Sequence, residues 1–181
     1  MHVLSVNVAE PRQIIHNDEP VMTGIYKTPA TGRVPLDTLN FAGDRQADLV
    51  NHGGIHKAVY AYPHEHYAYW AAELDRHDFE FGQFGENLTL VGLLETEVYI
   101  GNTYRVGDAL LEVTQPRVPC FKLAHRMGLR GFEKAFLRAN RLGFYLRVRE
   151  PGNVGRRGPG FAGTQRPNAD EHCGDRASAL L

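Results

Sequence analysis

The chain has 181 residues, 43% of them hydrophobic and 23% charged, and its 20 basic side chains face 21 acidic ones. That describes a globular domain with a core; it excludes a disordered chain, a disulfide framework built from two cysteines, and a broadly basic nucleic-acid surface. No apolar run nears the roughly 20 residues that span a bilayer, and the opening MHVLSVNVAEPRQ lacks the basic start and apolar stretch of an export signal, so a cytoplasmic protein with reduced thiols is expected.

The first expected strand is residues 2–8, where Val3, Val6 and Val8 alternate imperfectly with polar neighbours. A second β-branched run, residues 21–28, stops at Pro29 and the Thr31-Gly32 turn. The polar stretch from Gly43 to the Gly53-Gly54 pair reads as loop. A helix is predicted from Pro63, whose fixed φ suits a first helical position, with Tyr67, Trp70, Ala71 and Leu74 on one face. Glycines then separate β-like runs at 87–90, 97–100, 103–106 and 109–115. Helical pieces follow at 121–127, closed by Gly128, and at 132–139, before a strand at 144–148. Short strands at this spacing favour a mainly β barrel or folded sheet over a doubly wound α/β fold. From Pro151 onward, six Gly and three Pro occur among 31 residues. Ordering such a segment costs about 1–2 kcal/mol per residue, so most of it is expected to lie loosely at the surface. Cys173 falls there and is given no role.

The near-zero net charge hides an asymmetry. Residues 1–112 hold 7 basic and 16 acidic side chains, whereas 113–149 hold 9 basic ones against Glu133 alone. A fold whose basic part docks on its acidic part accounts for this, and so does a local site for a phosphorylated small molecule. A nucleic-acid surface usually carries a wider basic excess with interleaved aromatics.

The sharpest local signal is Gln115-Pro116-Arg117-Val118-Pro119-Cys120-Phe121-Lys122-Leu123. A strand runs through two prolines into a short helix, which places Cys120 at the helix N-terminus, flanked by Arg117 and Lys122. These surroundings favour thiolate over thiol, although a cysteine filling space in a core is the bland alternative. A second cluster runs from Gly43-Asp44-Arg45-Gln46-Ala47-Asp48 to His52-Gly53-Gly54-Ile55-His56-Lys57. Its glycines allow close backbone approach, and amides beside Arg45 and Lys57 suit an anion; a tight turn with an incidental lysine is the alternative. Neither the Walker spacing nor the dinucleotide fingerprint is present. His52, His56, His64 and His66 invite a zinc reading, but His64 and His66 are two apart and cannot share a helix face.

These segments, with Tyr62 through Trp70, Phe84-Gly85-Glu86-Asn87-Leu88-Thr89, Ile100-Gly101 through Gly107, and Arg141 through Val148, resemble MOSC-domain proteins of the YiiM-type subgroup over about residues 1–153. The resemblance implies a mainly β, MOSC-type β-barrel with several short peripheral helices. It implies binding of a molybdopterin-type molybdenum cofactor, with the family cysteine, here Cys120, as metal ligand. Subgroup members are similar to molybdenum-dependent oxidoreductases that reduce N-hydroxylated compounds such as hydroxylated purine bases and amidoximes, using an external electron-donor protein. On that footing Arg45, Lys57, Arg117, Lys122 and Arg141 are candidates for the cofactor's phosphate and the cysteine's surroundings. Asn87 is a candidate for the pterin, and His52 for a proton source. Two other activities stay open: a sulfur carrier with a Cys120 persulfide filled by a sulfur donor, and a non-catalytic cofactor carrier. The chain departs from the family pattern at His56, where Asp is usual, and in its Gly- and Arg-rich segment 154–181, where a three-helix domain is usual.

Overall fold

The structure, a computed structural model, describes residues 2–49, 53–156, 162–164 and 173. In chain order its elements are β1 (His2–Val8), β2 (Arg12–His16), β3 (Glu19–Thr23), β4 (Thr28–Pro29), β5 (Arg33–Leu36), β6 (Val59–Pro63), α1 (Glu65–Leu74) and β7 (Leu88–Val91). There follow β8 (Thr103–Val106), β9 (Ala109–Pro116), α2 (Phe121–Met127), α3 (Phe132–Arg138), β10 (Phe144–Glu150), β11 (Gly152–Gly155) and β12 (Ala162–Thr164). Eight strands form one mixed sheet in the order β12-β8-β9-β10-β6-β7-β1-β4. Its neighbours are antiparallel except β6 and β7, which run parallel because α1 carries the chain back between them.

Strand β6 is buried along its whole length. Val59 and Ala61 enter one core with Val3, Leu88 and Leu111, while Tyr60 and Tyr62 enter a second, aromatic core with Trp70, Phe84 and Phe136. A strand buried on both faces shows no period-two alternation, which is why the sequence pattern passes over it. Pro63 therefore ends a strand instead of opening a helix, and α1 begins two residues later. Along α1, Tyr67 and Trp70 are buried and Ala71 and Leu74 half-buried, as their spacing predicts. Full burial of a large apolar side chain contributes about 1.5–3 kcal/mol, so this face holds the helix against the aromatic core.

The expected closed barrel does not form among the described residues, because the sheet's end strands, β12 and β4, do not pair with each other. The ribbon β5–β11 instead packs Val34, Leu36 and Val154 into the core shared with Val3, Val6 and Leu111. Side-chain packing covers the core where ladder closure was expected. The run at 21–28 is likewise divided. Its start belongs to the hairpin β2–β3, whose Asn17 and Asp18 both have positive φ (51° and 63°), as a two-residue type I′ turn requires. At 97–100 there is no strand; a 3₁₀ turn at Glu95–Glu97 stands before the glycine turn at 101.

Two described parts of the glycine-rich tail are firmly packed. Val154 on β11 and Cys173 are each 0% exposed, and the Cys173 N–H donates to the Val98 carbonyl at 2.8 Å. Their few apolar side chains meet a preformed core, which offsets the ordering cost that composition alone suggests. Among the described residues, no helix is long and apolar enough to cross a membrane.

Candidate functional site

A cavity of about 110 Å³ opens where the loop 44–48, the segment after β3, the corner 85–87 and the start of α2 meet the faces of β6 and β10. Six of the eight site residues predicted from sequence line it: Arg45, Lys57, Asn87, Arg117, Cys120 and Lys122. Arg141 does not, and His52 lies outside the described residues.

Cys120 is the N-cap of α2, with extended backbone (φ −135°, ψ 177°) and its carbonyl accepting the Leu123 N–H at 2.9 Å. The thiol makes no capping hydrogen bond and is half-buried at the cavity wall. Arg117 is fixed more tightly. Its Nη1 donates to the Phe84 carbonyl at 2.6 Å, and its guanidinium lies 4.6 Å from the Tyr60 ring centroid and 5.7 Å from that of Phe136. Burial is the largest single influence and works against its charge, but Tyr60, Tyr145 and Cys120 together outweigh it, so it is held cationic.

Two carboxylates line the cavity, and each has a lysine. Asp48 meets Lys122 at 3.5 Å, and Asp44 pairs with Lys27, a residue that sequence reasoning missed. A lysine inside the apolar run Ile25-Tyr26-Lys27 was the available signal. Burial pushes the Lys27 ammonium below its ordinary range, and Asp44 opposes that shift. Five lining cations, Lys27, Arg45, Lys57, Arg117 and Lys122, against two carboxylates leave a surplus of three positive charges. The basic segment thus divides. Arg117 and Lys122 serve the cavity, while Arg147 and Arg149 pair with Glu112 at 2.8 and 2.9 Å.

Asn87 is committed inside the protein. Its Nδ2 donates to Asp44 Oδ2 (2.8 Å) and to the Asn7 carbonyl (3.2 Å), and its Oδ1 accepts the Tyr60 N–H (3.1 Å). Both donors are occupied, so Asn87 holds the wall and has none left for a pterin. Next to it, buried Glu86 accepts from Tyr67 Oη, Thr89 Oγ1 and the N–H groups of Gly82 and Phe84, and so fixes the corner 85–87. Gln46 fastens the opposite rim: its Oε1 accepts the Gly54 N–H at 2.7 Å and its Nε2 donates to the Leu39 carbonyl at 3.1 Å. Arg45 is exposed on this rim, 3.5 Å from Glu10. The hairpin β2–β3 reaches the cavity at Thr23 and is docked on α2 by His16 stacked on Phe121, with centroids 3.8 Å apart.

Arg141 has another task. Its guanidinium lies 4.3 Å from the Tyr69 ring centroid, and its Nη1 donates to His66 Nδ1 at 3.1 Å. With Nδ1 accepting, His66 carries its proton on Nε2 and donates it to Glu95 at 2.8 Å. His64 stacks on Tyr67, and His56 is exposed. Among the described residues no three His, Cys, Asp or Glu side chains are arranged to hold a metal by themselves.

The donor set fits a metal group that carries its own sulfur and phosphate. The cavity offers one soft thiol and a surplus of positive charge, and both of its carboxylates are already paired.

Residues 48–156 match the MOSC domain family. The chain is 45% identical over 152 residues to the uncharacterized protein YflK of Bacillus subtilis, covering 84% of this chain and 68% of that one. It is 36% identical over 137 residues to a Gibberella moniliformis protein named "Reductase", covering 74% of this chain and 24% of that one. The solved structure of YiiM from Geobacillus stearothermophilus superposes with a TM-score of 0.81 at 34% identity, over 99% of this chain and 83% of that one.

Proposed function

The chain belongs to the MOSC domain family, and we propose that it binds a molybdopterin-type molybdenum cofactor and reduces N-hydroxylated compounds, with Cys120 as the protein ligand of the metal. The observation that carries this reading is the meeting of Cys120, Arg117 and Lys122 in one cavity with surplus positive charge. A related chain named "Reductase" and the close superposition on a YiiM structure support it.

The residues divide the work by where they stand. Exposed Arg45 and half-buried Lys57 line the cavity and would meet the cofactor's phosphate. Arg117, locked by Phe84 and the aromatic rings, presents a fixed positive charge to Cys120. Lys122 is steadied by Asp48. His52 is the proposed proton source. When bound, the cofactor would supply the two-electron chemistry that cleavage of an N–O bond requires. Reduction of an N–OH group takes two electrons and two protons and releases water, so the electrons come from an external donor protein.

Expression in a host that makes molybdenum cofactor, followed by elemental analysis and an assay on a hydroxylated purine with a supplied reductant, tests this. Wild type is expected to hold stoichiometric molybdenum and reduce the base, and Cys120→Ser to lose both. Metal-loaded protein that turns nothing over indicates a carrier. A Cys120 persulfide formed without molybdenum indicates sulfur transfer. Either outcome removes the reductase reading.

A further inference from the structure

Side chains alternate along β10. Phe144 and Leu146 enter the sheet's core, and Tyr145 between them faces the cavity. Its register partners are Tyr60 on β6 and Gln115 on β9, and its ring centroid lies 5.4 Å from that of Tyr60. The two phenols have different surroundings. Tyr60 Oη donates to the Leu142 carbonyl at 2.7 Å and so belongs to the wall. The Tyr145 hydroxyl has no hydrogen-bond partner among the described residues; the side-chain donor that reaches Tyr145, Thr114 Oγ1, meets its backbone carbonyl at 3.1 Å.

A tyrosine hydroxyl enclosed by protein usually finds a partner. This one stands in a cavity wall, within electrostatic reach of Arg117 and Cys120. Three of the five lining cations already hold protein acceptors: Lys27 holds Asp44, Lys122 holds Asp48, and Arg117 Nη1 holds the Phe84 carbonyl. Tyr145 therefore offers a neutral O–H beside the thiol, a donor suited to an uncharged oxygen.

We propose that Tyr145 recognises the oxygen of an N-hydroxylated substrate, its O–H donating to the N–OH oxygen and so distinguishing that compound from the parent amine. The inference rests on reading the cavity as a site for N-hydroxylated compounds. A site built to hydrogen-bond a ligand oxygen discriminates against the analogue that lacks it, because the site's own polar group is then left unpaired.

The test is calorimetric titration of the cofactor-loaded protein, without reductant, with 6-hydroxylaminopurine and with adenine. Wild type is expected to bind the hydroxylated base about tenfold more tightly. Tyr145→Phe should erase that preference by weakening the hydroxylated base alone, with Tm unchanged. Tyr60→Phe should lower Tm, because the Leu142 carbonyl loses its donor. Equal binding of the two bases by wild type, or a preference that survives in Tyr145→Phe, overturns the proposal. So does a Tyr145→Phe protein that loses stability and both ligands together. Turnover is measured separately: a preference that depends on Tyr145 without reduction defeats the proposed activity but not this assignment, and reduction without such a preference does the reverse.

Discussion

Lys27 and Asp44 form an ion pair at the cavity wall with less than a tenth of either side chain exposed. Asp44 also accepts the Ala9 N–H at 2.9 Å and Asn87 Nδ2 at 2.8 Å, so one carboxylate joins the end of β1, the loop 44–48 and the corner 85–87. A buried pair adds little net stability, but removing one partner leaves an uncompensated charge. Asp44→Ala is expected to cost about 3–5 kcal/mol in urea denaturation, and the double variant Lys27→Met/Asp44→Leu to recover most of that. A double variant no more stable than the single one would show that the backbone contacts, not the charge, dominate.

Burial pushes the Glu86 carboxyl above its ordinary range, and its four hydrogen-bond donors pull it back only in part. The folded protein therefore binds this proton more tightly than the unfolded chain does. The group's contribution is full below the ordinary carboxylate value near 4.3 and falls as pH rises through the folded value. Glu86→Gln lacks that decline and also lacks an acceptor for its donors. The variant should be less stable throughout, with the gap to wild type widest near pH 4 and narrowing toward neutrality. Denaturation curves from pH 4 to 8 measure it, and a gap that widens with pH would place the carboxyl below its ordinary range.

Gly143 has φ +67°, and a methyl group there would meet the Ala61 carbonyl oxygen and stand 2.9 Å from the rings of Tyr60 and Tyr62. Its N–H donates to Glu95 at 2.5 Å and its carbonyl accepts the Arg117 N–H at 3.3 Å. Backbone strain and overpacking together make Gly143→Ala destabilising by about 2–5 kcal/mol. Because Arg117 hangs from the same residue, ligand affinity should fall at temperatures where the variant is still folded. Full affinity below the melting range would separate Gly143 from the site.

What the sequence made legible follows from local pattern. Helices α2 and α3 and strands β1, β8 and β9 lie within a residue or so of expectation, because caps, glycines and single-face burial mark them. Strand β6 was hidden by burial on both faces, and the burial of Val154 and Cys173 by the long-range packing that produces it. The cavity's residues were legible where chemistry is local, as at Arg117, Cys120 and Lys122. They were not where partners come from distant segments. Lys27 and Asp44 are 17 residues apart, and the commitment of Asn87 depends on Asn7, 80 residues away. In the sequence Tyr145 is one residue of a strand, and nothing local to it shows that its hydroxyl lacks a partner.

Arg117 and Arg141 look alike in the sequence, both as basic residues of one cationic segment, yet they face different surroundings. Arg141 caps Tyr69 and steadies His66, which in turn anchors α1 to Glu95. Arg141→Ala is expected to cost about 1–2 kcal/mol of stability, from the lost ring contact and hydrogen bond, and to leave molybdenum content unchanged. Arg117→Lys keeps a charge but loses the planar fork that grips Phe84. It should therefore reduce molybdenum content more than it lowers Tm. Parallel melting curves and elemental analyses decide the matter: loss of metal from folded Arg141→Ala, with Arg117→Lys fully loaded, would reverse the two assignments and move the phosphate site toward Arg141, ahead of β10.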